Sequence, residues 1–306
     1  MHNYITKIKE KAPFLKNEQF KKTTSGTHFK VFISNNYVIR FRPDNQEILL
    51  REASLLKRLN HPLIPKIIKT GKVNGLAYII EKKLPGKNIN ILWKKISQKN
   101  QNKIISQIVK FIEFMQSSKQ KCIYSVSSGK KYASFLDFYL AGLNKKEKAI
   151  KKILLSQELL AELLKIIKNP SSKNLFLKRK TPVLAHGDLI IHNLLTDGKK
   201  LTGIVDWEMS LFGEKNHDLF RLYYYLECAK DYFNKGKDSS FEFDFLNKLL
   251  SNINNSKIIK NERSFDKKYR FVRATFYLHA LEWACKSKNP KKNIQEITRL
   301  WNKNKI

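Results

Sequence analysis

Between His186 and Glu208 the chain reads HGDLIIHNLLTDGKKLTGIVDWE, and this stretch limits the fold more than any other. Asn193-Leu194-Leu195-Thr196 has the composition of a short strand, and Asp197-Gly198 is a tight-turn pair. Leu201 to Val205 then reads as the strand that returns. A hairpin folds back on itself, so this spacing brings Asn193 and Asp206 to one open end. Both offer hard oxygen, the donor type that Mg²⁺ takes in small number while keeping part of its water. A further oxygen donor, the carboxylate of Asp188, stands five positions before Asn193.

An Asp, an Asn five positions on and a second Asp beyond a hairpin follow the order of kinase-type catalytic loops. Such loops give one carboxylate to the acceptor hydroxyl and oxygen ligands to the Mg²⁺ that bridges nucleotide phosphates. On this pattern Asp188 orients and deprotonates a hydroxyl, and Asn193 and Asp206 hold the metal. The competing reading is a pair of unrelated surface turns. The separation (206 − 193 = 13) and the intervening hairpin weigh against it.

His186-Gly187-Asp188 with Asn193, and Val205-Asp206-Trp207-Glu208 after it, resemble the aminoglycoside phosphotransferase and choline kinase family of small-molecule kinases. A protein kinase would carry Asp-Phe-Gly where this chain has Asp206-Trp207-Glu208. The resemblance implies an α+β, protein-kinase-like fold of two lobes. A small antiparallel β lobe (1–84) would bind the nucleotide, and a larger, mainly helical lobe (85–306) would carry catalysis and the acceptor. It implies ATP as donor and Mg²⁺ as cofactor. It gives His186 the ordering of the catalytic loop, and Asp218, in Gly213 to Leu219, the bracing of that loop at a helix start.

The N-terminal part is consistent with a nucleotide lobe. Ile5, Ile8 and Ala12 have helical spacing within residues 1–19. Phe20 to Val31 reads as strand, turn, strand, and Ser25-Gly26-Thr27 offers backbone N–H groups and hydroxyls for phosphate, or an ordinary hairpin turn. Tyr37 to Arg42 alternates as a strand. Arg40 stands where the kinase pattern places its phosphate-binding cation, and Arg42 competes for that role on the same face. Asp44 is a candidate cap for the helix that follows. Glu52 in Leu-Leu-Arg-Glu-Ala is the expected partner of Arg40, with Glu47 the other choice.

The formal charge of +34 asks whether the partner is a polyanion, but lysine is spread along the whole chain and no nucleic-acid motif accompanies it. Three scattered cysteines and an N-terminus without an apolar core suggest a reducing cytoplasm rather than a secreted, disulfide-stapled chain. Carboxylates are scarce, so Glu208, Glu227, Asp231 and Glu282 among aromatics are candidates to receive a cationic, amine-bearing acceptor. They are equally candidates for ion pairs with lysine. His192 and His217 read as local hydrogen-bonding residues. The function expected is ATP- and Mg-dependent phosphorylation of a hydroxyl on a small molecule. A protein or lipopolysaccharide kinase of the same fold, or an inactive kinase-like binding module, are the alternatives.

Overall fold

A computed structural model of the chain describes residues 2–23, 29–176, 180–229, 240–256 and 264–303. The chain clusters into two compact units. The first comprises Met1–Ile104, Ser125–Lys130 and Ile190–Ser210; the second comprises Ile105–Tyr124, Lys131–Leu189 and Leu211–Ile306.

The first unit is built on five strands, β1 (Lys21–Lys22), β2 (Lys30–Ile33), β3 (Tyr37–Phe41), β4 (Ile67–Val73) and β5 (Leu76–Lys82). Their order is β1-β2-β3-β5-β4, every pair antiparallel. Side chains alternate across a strand, so the sheet has two distinct faces. Ile39, Phe41, Tyr78 and Ile80 pack with Ile8, Ala12 and Leu15, the apolar residues of α1 (His2–Lys11) and the turn after it. Pro13 stops that helix short of the expected residue 19. On the opposite face Ile79 packs with Leu49 and Ala53 of α2 (Gln46–Leu56). Arg40 sits opposite Ile79 in the register, and Glu81 opposite Val38. Arg40, Ile79 and Glu81 therefore share the face that α2 covers. The side chain of Asn45, not Asp44, caps α2 by accepting from Ile48 N at 3.3 Å. Asp44 instead lies 3.5 Å from Arg42.

Packing carries this unit beyond residue 85. A two-residue strand, Lys87–Asn88, pairs with Leu194–Thr196, the first strand of the hairpin, whose partner is Leu201–Ile204. Asp197 Oδ1 accepts from the backbone of Lys199 (2.8 Å) and Lys200 (2.9 Å), and Gly198 takes φ +87°, so the turn forms as its residues dictate. Arg51 of α2 donates to the carbonyls of Val126 (2.8 Å) and Ser127 (3.0 Å), which ties in the segment 125–130.

The second unit is mainly helical around Phe265–Lys286. Phe271, Val272, Ala274, Leu278, Leu281 and Ala284 bury that helix on nearly all sides, and it packs on Gln157–Lys168, Pro290–Lys303, Leu143–Ile150 and His217–Ala229. A small sheet includes Val183–Ala185 paired antiparallel with Leu211–Gly213, in register Leu211↔Ala185. One of these strands runs into His186 and the other into Glu214 and the helix that starts at His217.

Candidate functional site

In the first unit several candidate residues gather around one buried carboxylate. Glu52, 0% exposed, accepts from Arg40 Nη1 at 2.8 Å and from Arg40 Nη2 at 2.9 Å, a two-pronged pair. Its Oε1 also accepts the backbone N–H of Trp207 at 3.1 Å. Arg40 Nη1 donates further to Glu81 Oε1 at 3.0 Å. Glu47 is turned away; its carboxylate is exposed and bonded to Arg51. Burial alone would pull the Arg40 guanidinium down, but Glu52, Glu81 and Asp206 outweigh it and leave the group above its usual range. Burial pushes Glu81 up, and the pull of Arg40 recovers only part of the shift. Glu81 was not singled out from the sequence. Its signal is positional, since it shares a sheet face with Arg40.

Asp206 follows the returning strand of the hairpin with φ 67°, ψ 65°, a left-handed backbone that is uncommon for any residue but Gly. Such backbone gathers at functional sites, where the surroundings must hold it. Here Trp207 does so, fully buried and donating its ring N–H to Ile204 O at 2.8 Å. Val205 N donates to Asn193 O at 2.9 Å, so the hairpin closes with Asn193 beside the residue before Asp206. Glu208 forms an ion pair with Arg42, whose guanidinium, like that of Arg40, lies over the Phe29 ring.

These side chains suit a divalent cation. Two arginines, Arg40 and Arg42, stand among four carboxylates, Glu52, Glu81, Asp206 and Glu208, a formal balance of 2 − 4 = −2 within a chain of +34. Asn193 and Asp206 add the amide and carboxylate oxygens that a hard ion prefers. Among the described residues there is no cluster of three or more His, Cys, Asp or Glu positioned around a metal. Ser25, Gly26 and Thr27 lie outside the described residues.

In the second unit the loop His186-Gly187-Asp188 is held by its neighbours' hydrogen bonds. Gly187 takes φ +80°, a conformation that suits glycine. His186 is fully buried, and its Nδ1 accepts from Asp188 N at 3.2 Å. The two oxygens of Asp218 accept from His186 N (2.9 Å) and Gly187 N (2.7 Å). Burial pushes the Asp218 carboxyl up, while His186 and these backbone donors pull it back toward the ionised form. Asp188 is partly open, and its Oδ1 meets both Arg221 Nη2 (3.3 Å) and the Tyr225 hydroxyl.

The remaining candidates fall out differently. Glu227 is taken up inside the second unit: Arg273 Nε donates to both its oxygens, at 3.0 and 2.7 Å, and Tyr277 adds a third bond at 3.2 Å. Arg273 is itself buried and stacked over the Trp301 ring at 4.2 Å. The ion-pair reading, left open beside amine binding, is the one this geometry favours. Glu282 is bonded to Lys286 at 2.6 Å and lies 3.8 Å from His279. Asp231 lies outside the described residues. His217 faces Tyr139 Oη at 3.1 Å, and His192 faces Asn90 at 3.0 Å, both local partners.

The sequence model of a family described as "Phosphotransferase enzyme family" matches residues 19–236. No curated protein matches the chain. Among solved structures, aminoglycoside phosphotransferase APH(4)-Ia superposes with a TM-score of 0.71 at 11% identity, covering 99% of each chain. The ADP-bound aminoglycoside phosphotransferase APH(2'')-Ib gives 0.65 at 18% identity over 97% of this chain and 96% of that one. A streptomycin–ATP ternary complex of APH(2'')-IIa gives 0.66 at 16% identity over 96% and 95%.

Proposed function

The chain belongs to the phosphotransferase enzyme family, with the α+β, kinase-like fold, and from that premise we propose that it transfers the γ-phosphoryl group of ATP to a hydroxyl of a small molecule. One observation carries the reading. The buried Glu52 carboxylate holds Arg40 on one side and the backbone of the Asp206-Trp207-Glu208 segment on the other. A phosphate-facing cation and a metal-facing carboxylate are thus fixed to a common support, as electrostatic preorganisation requires.

Arg40 draws the nucleotide phosphates, and Glu52 and Glu81 keep its guanidinium in place. Asn193 and Asp206 would hold Mg²⁺, which supplies charge neutralisation of the phosphoryl oxygens when bound. Asp188 orients the acceptor hydroxyl and takes its proton. The acceptor oxygen bonds to the γ-phosphorus as the β–γ bridging oxygen departs with ADP. Nucleotide work thus belongs to the sequence before residue 85 plus the hairpin, and acceptor work to the remainder. The cytoplasm, where ATP and Mg²⁺ are at hand, is the setting we assign. Three free cysteines are in keeping with it, and no helix among the described residues is long and apolar enough to cross a membrane.

For the acceptor, the neighbour solved with streptomycin and ATP supports a small amine-bearing alcohol. Glu208 and Glu227 are engaged by the buried guanidiniums of Arg42 and Arg273, whereas Glu282 is paired with the exposed ammonium of Lys286, which an acceptor amine can displace, so Glu282 is the carboxylate we assign to the amine. Its field reaches His279, which also feels Arg221, the neighbour of Asp188.

The test is ADP release from ATP and Mg²⁺ across a panel of amino sugars, amino alcohols and neutral sugars. One class should turn over, and Asp188→Asn and Asp206→Ala should each lower turnover by at least about a thousandfold while remaining folded. Wild-type-like turnover in either variant overturns the assignment. Absence of any thermal stabilisation by ATP with Mg²⁺ would make the chain a nucleotide-free binding module instead.

A further inference from the structure

One helix face carries more than the loop brace. In His217–Ala229 the residues Asp218, Arg221 and Tyr225 are spaced i, i+3 and i+7, which places them on one stripe. Asp218 holds the backbone of His186 and Gly187. Arg221 and Tyr225 reach the side chain of the next residue, Asp188: the guanidinium Nη2 and the phenolic O–H both donate to its Oδ1, and Nη2 also donates to the Tyr225 oxygen. The three groups close a ring of hydrogen bonds on one carboxylate oxygen.

The ring has the features of a designed support. Both donors are fixed by packing: Arg221 lies over the Tyr225 ring at 5.2 Å and the Phe276 ring at 5.4 Å. Burial, and then the charge of Asp188, push the Tyr225 phenol above its usual range despite the pull of Arg221, so it stays protonated and serves as a donor. A carboxylate with free rotation presents either oxygen in many directions. One held at Oδ1 keeps a single orientation, and positional freedom at the reacting group is costly to catalysis.

We propose that Arg221 and Tyr225 are positioning residues for Asp188: by holding Oδ1 they fix the orientation in which the carboxylate meets the acceptor hydroxyl. The inference rests on the phosphotransferase reading, in which Asp188 is the base. It adds two residues that act through Asp188 without touching acceptor or nucleotide.

The experiment is a double-mutant cycle read in kcat and KM, with the acceptor found in the panel and single-turnover assays for the slowest variants. Tyr225→Phe should lower kcat about tenfold and Arg221→Gln about a hundredfold, with KM for ATP changed less than twofold. Arg221→Lys keeps the charge but loses the planar fork, so it should recover only a minor part. In an Asp188→Asn background, adding Tyr225→Phe should cost less than twofold more, since residues that act through one group lose their effect once that group is gone. Full additivity in that background would overturn the proposal and make the pair a structural or acceptor-binding one. So would wild-type kcat in Tyr225→Phe. If Asp188→Asn itself stays active, Asp188 is not the base and the positioning role of the pair falls with it, whereas a wild type that turns over no acceptor would fault the phosphotransferase reading instead. Thermal unfolding of each variant separates loss of positioning from loss of fold, and Tyr225→Phe, which removes one oxygen, retains the packing.

Discussion

At the scale of single residues, what can be read from a sequence is the chemistry of a side chain together with its spacing. Asn193 and Asp206 were legible because one local hairpin sets their spacing, and Asp188 because it stands in the same short motif. Glu81, Arg221 and Tyr225 were not, because each acts through a contact made by a sheet face or a helix stripe that only the fold supplies. His217 shows how burial then rewrites a residue's chemistry. Desolvation, helped by the charge of Arg221, drops its pKa from 6.5 to about 3. Above pH 6.5 both the folded and unfolded chains carry it neutral, and it contributes full stability. As the pH falls, the unfolded chain takes up a proton that the folded one refuses, so stability drains away toward the folded pKa. Between pH 6.5 and pH 5 this amounts to about 2 kcal/mol. Urea unfolding of the wild type and of His217→Gln across that range should show the wild type losing more stability on acidification. The difference between the two chains isolates His217 from groups such as Asp218, which burial moves in the opposite direction. Parallel curves would show that His217 titrates alike in the folded and unfolded chains, so that burial does not depress its pKa.

Elements were legible where a turn or an apolar period is strong and local. The hairpin at 194–204 formed from its own turn chemistry, whereas the two-residue strand Lys87–Asn88 that joins it carries no local pattern and exists only as a docked edge. The helix Phe265–Lys286 likewise hides its main constraint. Lys268, 1% exposed, reaches Glu214, 2% exposed, at 3.0 Å, and nothing in either segment announces a buried pair. The pair joins the central helix to the residue that leaves the strand Leu211–Gly213, four positions before Asp218. Two charges out of water hold each other only while both are present. Lys268→Met, which strands Glu214, should lower unfolding stability by about 3–5 kcal/mol. Adding Glu214→Leu should restore most of it, because the double variant buries no charge. If the single and double variants unfold alike, the pair does not carry the packing of this helix.

At the scale of the whole molecule the largest number in the sequence, a charge of +34, was legible at once and yet said nothing about the fold. Its physical meaning lies in the contrast with the proposed nucleotide site, where arginines are outnumbered by carboxylates. On the proposed function, a long-range positive field gathers anions from solution, while the local excess of carboxylate would make the last step depend on a cation that arrives with the nucleotide. Far charges and near ones respond differently to salt. The screening length falls from roughly 10 Å at 0.1 M to roughly 3 Å at 1 M, so distant lysines are silenced first and buried pairs such as Arg40–Glu52 hardly at all. Over that range kcat/KM for ATP should fall about tenfold while kcat changes less than twofold, since the field speeds encounter and the buried groups perform the transfer. Steady-state kinetics in potassium chloride at fixed free Mg²⁺ measure both. A fall in kcat as large as that in kcat/KM would mean that surface lysines take part in the transfer itself, and that the buried cluster around Glu52 is not sufficient to hold the phosphates.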